Sequence, residues 1–213
     1  MDGLSLRERK FAATKAAIQA AVLKRLNQQT LDDIVVKDVC QEVQISETTF
    51  FNYFASKQEV IAYTVQIWSI VVAWEMLQTV LQSGKHLLAI RRLFDLTAEM
   101  TVETAGLMGE ILAYQAKMQE PFVFHPLTRA EYAQQFPNIA GIEAIAFQSI
   151  DQLLFTHLES ALETGELIPG TDLRSLTMTL IAIFFVTPIL VRQGFDGEVK
   201  EAYRQQLDLL LPD

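Results

Sequence analysis

The side chains best suited to proton transfer or metal binding are His86, His125 and His157, and they are scattered along the chain. None sits in an HExxH pair or a cysteine–histidine cluster, the spacings that bring ligands together on a metal. No glycine-rich phosphate loop and no nucleophile elbow occurs. The expectation is therefore no enzymatic activity, no metal site and no cofactor. A different chemistry is concentrated in residues 46–57. Ser46, Thr48 and Thr49 carry hydroxyls, Asn52 a carboxamide, Tyr53 a phenol and Lys57 an ammonium group. These groups are hydrogen-bond donors and acceptors that can meet a polar partner. Phe50, Phe51, Tyr53 and Phe54 crowd the same run, and successive helical residues point to different faces. Some of these rings must be exposed, which suggests a binding surface.

A surface of this kind needs a scaffold, and the chain supplies helices. Helical spacing dominates, with no convincing alternating strand, so the fold class is all-α. Ser5-Leu6-Arg7-Glu8 forms a capping box that opens a first helix, with Phe11, Ala12, Ile18, Ala21, Val22 and Leu26 on or near one face. Asn27 to Asp33 is turn-like. Val36 to Val43 reads as a short helix, Gln44-Ile45-Ser46 breaks it, and Ser46 caps a second short helix from Glu47 to about Asn52. Two short helices braced by a longer one describe a helix-turn-helix. Its expected core is Phe11, Ile18, Val22, Val39, Val43, Ile45, Phe50 and Phe54. The outward positions are Glu47, Thr48, Phe51 and Asn52, placed to enter a major groove.

Ser56-Lys57-Gln58-Glu59, a second capping box, begins a long helix with no Gly or Pro before Gly84. Further helices are expected at about 86–100 and 102–119. Thr128-Arg129-Ala130-Glu131 is a third capping box and opens a short helix. Asn138 is expected to cap a helix to about Thr164, Thr171 or Asp172 an apolar helix to Gly194, and Asp196 a last amphipathic helix to about Leu211. The expected domains are residues 1–56, a three-helix DNA-binding head, and residues 57–213, a larger helical regulatory part.

The run from Val39 to Val60 closely resembles the signature of the tetracycline-repressor (TetR) family of transcriptional regulators. Thr49-Phe50-Phe51-Asn52-Tyr53-Phe54 followed by Ser56-Lys57 is its most specific portion. The resemblance implies that Ser46, Glu47, Thr48, Thr49, Phe51, Asn52 and Tyr53 face DNA, that Lys57 pins a phosphate, and that Lys37 approaches the backbone beside the groove. It also implies a homodimer on a palindromic operator, released by a small-molecule effector. The segments at about 139–164 and 171–194 resemble the family's dimerisation pair, with Phe155, Leu180, Ile181, Phe184, Phe185 and Ile189 as interface candidates. The second segment is apolar around nearly its whole circumference, so both faces need burial. Trp68, Phe94, Met108, Tyr114, Met118, Phe122, Phe124 and Phe147 are candidates to line a pocket for an apolar or aromatic effector. Four positions depart from the family pattern. Gln44 stands where glycine is favoured, Val35 where threonine is usual, Phe51 where tyrosine is usual, and Glu47 where a cation or neutral residue is common.

Net charge is −9, yet residues 1–57 hold 8 Lys+Arg against 7 Asp+Glu, and residues 58–213 hold 9 against 19. Only the N-terminal end is suited to phosphates. The single cysteine, Cys40, excludes an internal disulfide and fits a reducing cytoplasm. Leu176 to Val191 falls short of the roughly 20 residues that span a bilayer, so no membrane segment is expected. An alternative consistent with the acidic C-terminal part is a helical interaction protein that binds a protein partner and has a weakened DNA head. An apolar carrier is a third reading.

Overall fold

A computed structural model of the chain describes residues 3–104, 106–117, 122–195 and 197–212. Among these residues there are ten α-helices and no strand. They are α1 (Leu6–Leu26), α2 (Val36–Val43), α3 (Glu47–Tyr53), α4 (Lys57–Ser83), α5 (His86–Glu103), α6 (Leu107–Lys117), α7 (Arg129–Gln135), α8 (Ile150–Glu163), α9 (Leu173–Arg192) and α10 (Val199–Leu210). They form two compact units, residues 1–68 with 109–146, and residues 69–108 with 147–213. The expected functional boundary at residues 56 and 57 falls at the start of α4. The first unit also takes in the opening turns of α4 and residues 109–146.

In the first unit, α1 starts as expected: Glu8 accepts from Ser5 N at 2.8 Å and Ser5 Oγ accepts from Glu8 N at 3.2 Å. Ala12, Ile18, Ala21, Val22 and Leu26 are buried along one face. Phe11 is not in that core: it is 39% exposed. One residue before Ala12, it is turned about 100° around the helix, and its ring lies on Tyr53 at 4.6 Å between centroids. The box at Thr128 and Glu131 opens α7 as expected. The helix expected from Asn138 does not form there. Gly141 takes φ 81°, a left-handed conformation that stops a helix, and only a single 3₁₀ turn follows at Ile142–Ala144.

In the second unit, α8 begins at Ile150, where Gln152 Oε1 accepts from Ser149 N at 3.0 Å. The break between α5 and α6 lies at Thr104 and Gly106, later than the expected 100–102. Asp172 caps α9 by accepting from Ser175 N at 3.1 Å. Asp196, the expected cap of the last helix, lies outside the described residues, and α10 begins at Val199. The core joins Phe94 to Tyr203 and Phe184, at 4.9 and 6.1 Å between ring centroids. By length and composition α4 and α9 are both apolar enough to cross a membrane, with 61% and 28% of their most apolar stretches buried. Two of the histidines scattered in the sequence meet here: His86 Nδ1 and His157 Nδ1 are 3.2 Å apart.

Candidate nucleic-acid interface

The short helices of the head are held from below. Val39 and Cys40 of α2 and Phe50 of α3 are buried; α2 packs on α1, whose Ile18 and Val22 are fully enclosed, and α3 packs on α2. Burial raises the Cys40 thiol pKa, and the nearby Glu47 charge adds to the rise. Polar contacts lock α2 to α1. Arg25 meets Glu42 at 2.6 Å and Lys24 meets it at 3.1 Å, and Arg25 also donates to Asp38 O. The hydrogen bonds from Lys24 and then Arg25 hold the Glu42 carboxyl below its ordinary pKa.

The turn into α3 uses Gln44 at φ 58° and ψ 47°, the left-handed backbone that the sequence required of a non-glycine residue. Ile45 N then closes onto Cys40 O at 3.0 Å. Ser46 caps α3: its Oγ accepts from Thr49 N at 3.1 Å and lies 2.8 Å from Thr49 Oγ1. Phe50 points inward at 0% exposure and Phe54 is likewise buried, while Phe51 is 50% exposed. Glu47, Thr48 and Asn52 are exposed beside it, and Thr49 and Tyr53 are half-buried. Lys37 is exposed on α2. Lys57 is half-buried and donates to Asp32 O and Ile34 O at 3.0 and 2.9 Å. Two of its three donors therefore fasten the loop between α1 and α2.

A second set of contacts in this unit carried no sequence signal, because its partners are distant in the chain. Lys15 of α1 meets Glu131 of α7 at 2.6 Å, with side chains only 16% and 3% exposed. The Lys15 ammonium also lies 4.3 Å from the Tyr63 ring centroid. Gln135 donates to Gln19 at 3.0 Å, and Gln19 donates to Thr64 at 3.1 Å. Burial pushes the Glu131 carboxyl up, but hydrogen bonds from Lys15 and Thr128 outweigh it, and the net pKa is lowered. This network ties residues 128–135 to the helix that braces the head.

No family model and no curated protein matches the sequence. Solved structures do. The chain is 17% identical to Thermus thermophilus FadR, a TetR-family transcriptional repressor in complex with lauroyl-CoA, with 92% of each chain covered and a TM-score of 0.59. It is 12% identical to the transcriptional regulator FadR of Bacillus subtilis in complex with stearoyl-CoA, covering 92% of this chain and 97% of that one at a TM-score of 0.64. The TetR-family regulator PfmR of Thermus thermophilus gives 15% identity, 91% and 96% coverage, and a TM-score of 0.57. The chain has the TetR-family fold.

The other expected positions of this TetR-like chain fall as follows. Among the effector candidates, Trp68, Tyr114, Phe122 and Phe124 belong to the first unit and are half-buried. Tyr114 stacks on Phe122 at 4.0 Å and 6°. Phe94 and Met108 are buried in the second unit, where Phe147 is half-buried. Met118 lies outside the described residues. Among the interface candidates, Leu180, Phe184 and Phe185 are buried within their own unit, Ile181 and Ile189 are half-buried, and Phe155 is exposed on α8. The outward apolar face of α9 is formed by Met178, Ala182, Val186 and Leu190, at every fourth residue. Their phase could not be read from a helix that is apolar all round.

Proposed function

We propose that this chain is a DNA-binding transcriptional regulator, acting as a homodimer on a palindromic site and released by a small apolar or aromatic effector. The observation that carries the reading is the outward face of α3, where Glu47, Thr48, Phe51 and Asn52 are exposed while Phe50 anchors the helix from beneath. A major groove admits one such helix, and its side chains read base edges there. Ser46, Thr49, Tyr53, Lys37 and Lys57 flank that face and are assigned to the phosphate backbone. The likeness to regulators supports the same reading. Two of those regulators hold acyl-CoA molecules, which favours an effector with a long apolar portion for this chain. Trp68, Tyr114, Phe122 and Phe124 are the proposed contacts for it within the first unit.

The outward face of α9 supports the dimer. Met178 is 66% and Val186 44% exposed, on a helix whose apolar surface calls for cover. A second copy packing through α8 and α9 supplies that cover. It would present two α3 helices to half-sites one helical turn apart, about 34–36 Å.

The test is a gel shift on the DNA upstream of the chain's own gene, across a salt series. The expected result is a discrete complex whose affinity falls steeply as salt rises. Absence of a complex at low salt, with no effect of Asn52→Ala or Tyr53→Ala on any residual binding, removes the reading.

A further inference from the structure

The pairing of His86 with His157 lies in the second unit, whereas α3 belongs to the first, and it brings together two imidazoles from that unit's two separate segments. His86 is the first residue of α5, and His157 lies midway along α8. The start of α5 is fixed by Glu166, whose carboxylate accepts from His86 N at 2.7 Å and Leu87 N at 3.0 Å. Glu166 itself accepts from Thr164 Oγ1 at 3.1 Å. His86 is therefore anchored by its own backbone, and its ring is delivered to α8 on a rigid mount.

The two rings have a specific geometry. Their Nδ1 atoms are 3.2 Å apart and their centroids 5.2 Å apart, with planes inclined by 53°. A straight N–H···N bond of that length, with both rings aligned along it, would place the centroids about 5.5 Å apart. Two imidazoles bound through nitrogen at about 2.05 Å to one tetrahedral ion place their nitrogens about 3.3 Å and their centroids about 5.2 Å apart. Both observed distances agree with the second arrangement.

We infer that His86 and His157 form a two-histidine chelate for a divalent transition metal ion of the Zn²⁺, Ni²⁺ and Cu²⁺ class, clamping the first residue of α5 to α8. No third His, Cys, Asp or Glu completes a ligand group among the described residues, so the remaining positions fall to water. An open site of this kind exchanges its metal readily. Imidazole selects the later first-row ions, with Cu²⁺ held most tightly.

The experiment uses the full chain, stripped with a chelator and returned to a non-coordinating buffer. Titration with Ni²⁺ and Zn²⁺ should give one site per chain and a rise in melting temperature that the chelator reverses. His86→Gln and His157→Gln should each weaken binding at least about tenfold, while His125→Gln, altering an exposed histidine, leaves it unchanged. Electron paramagnetic resonance of Cu²⁺ on the unaltered chain should show two coordinated imidazole nitrogens, a readout independent of whether a variant folds. Binding that survives in the His86→Gln, His157→Gln double variant overturns the assignment. So does binding lost only with His125→Gln, one imidazole or none in the Cu²⁺ spectrum, or no saturable site at all.

Discussion

Gln44 carries the backbone of the helix-turn-helix through a left-handed conformation at φ 58° without the freedom of glycine. A side chain there costs about 1 kcal/mol against the crowding of its Cβ and the following carbonyl. Gln44→Gly removes that crowding and adds conformational freedom to the unfolded chain, so the two effects partly cancel. The expected outcome is a net gain of up to about 1 kcal/mol in urea unfolding; a loss of stability would mean that the Gln44 side chain makes a contact worth more than the strain. Two exposed residues of α3 lead to a prediction on binding itself. Asn52→Ala should weaken the specific complex by about 1–3 kcal/mol and relax base preference at one position. Glu47→Gln removes a negative charge from the exposed face of α3, so it should strengthen binding to any duplex alike. Fluorescence anisotropy on a cognate and a scrambled duplex separates the two effects. An equal response of both duplexes to Asn52→Ala would show that this residue touches only the backbone. These residues were legible in the sequence because a Ser cap fixes where α3 starts, and the start fixes which residues face outward. Lys57 was only half legible: its lysine was evident, but its bonds to Asp32 O and Ile34 O depend on a loop fold that no local pattern encodes.

At the scale of elements, helix starts were readable wherever a capping box stood alone, as at Ser5 and Thr128. They were misread where tertiary structure intervened. Asn138 had the chemistry of a cap, but Gly141 in a left-handed turn ended any helix begun there, and α8 waited for Ser149. The packing of α7 on α1 was invisible for another reason, since Lys15 and Glu131 are an ordinary surface pair until the fold buries both. That pair yields a pH prediction. The native Glu131 carboxyl has a pKa below its unfolded value of 4.5, so the unfolded state binds more protons as pH falls. Its stabilisation is fully present above about pH 4.5 and is lost as pH drops through the lower native value. Glu131→Gln leaves Lys15 enclosed without its counter-charge and should destabilise the chain by about 3 kcal/mol at pH 7. The same variant should flatten the fall in stability below pH 4.5. Lys15→Met combined with Glu131→Gln should recover much of the loss, because removing both charges ends the desolvation penalty. Urea unfolding at pH 7 and pH 4 measures all three; a single variant as stable as the parent at pH 7 would show that the pair contributes nothing net.

At the scale of the whole molecule, the question is whether α9 carries its apolar surface for a second copy. Met178, Val186 and Leu190 lie outward on a helix with 28% of its most apolar stretch buried. Val186→Glu with Leu190→Glu places two charges on that face without touching the inward Leu180 and Phe184. The variant should keep its helix content by circular dichroism and run as a monomer by light scattering. Its affinity for a palindromic duplex should then fall by about a hundredfold or more, because the second head no longer binds as part of the same particle. The salt dependence supplies an independent check. If each head neutralises the same number of phosphates, the slope of log affinity against log salt should drop to about half that of the parent. A half-site duplex, which engages one head, should bind parent and variant alike. A variant that becomes monomeric yet keeps both its affinity and its slope on the palindrome would separate the apolar face from DNA binding, and α9 would then need a different partner to explain it.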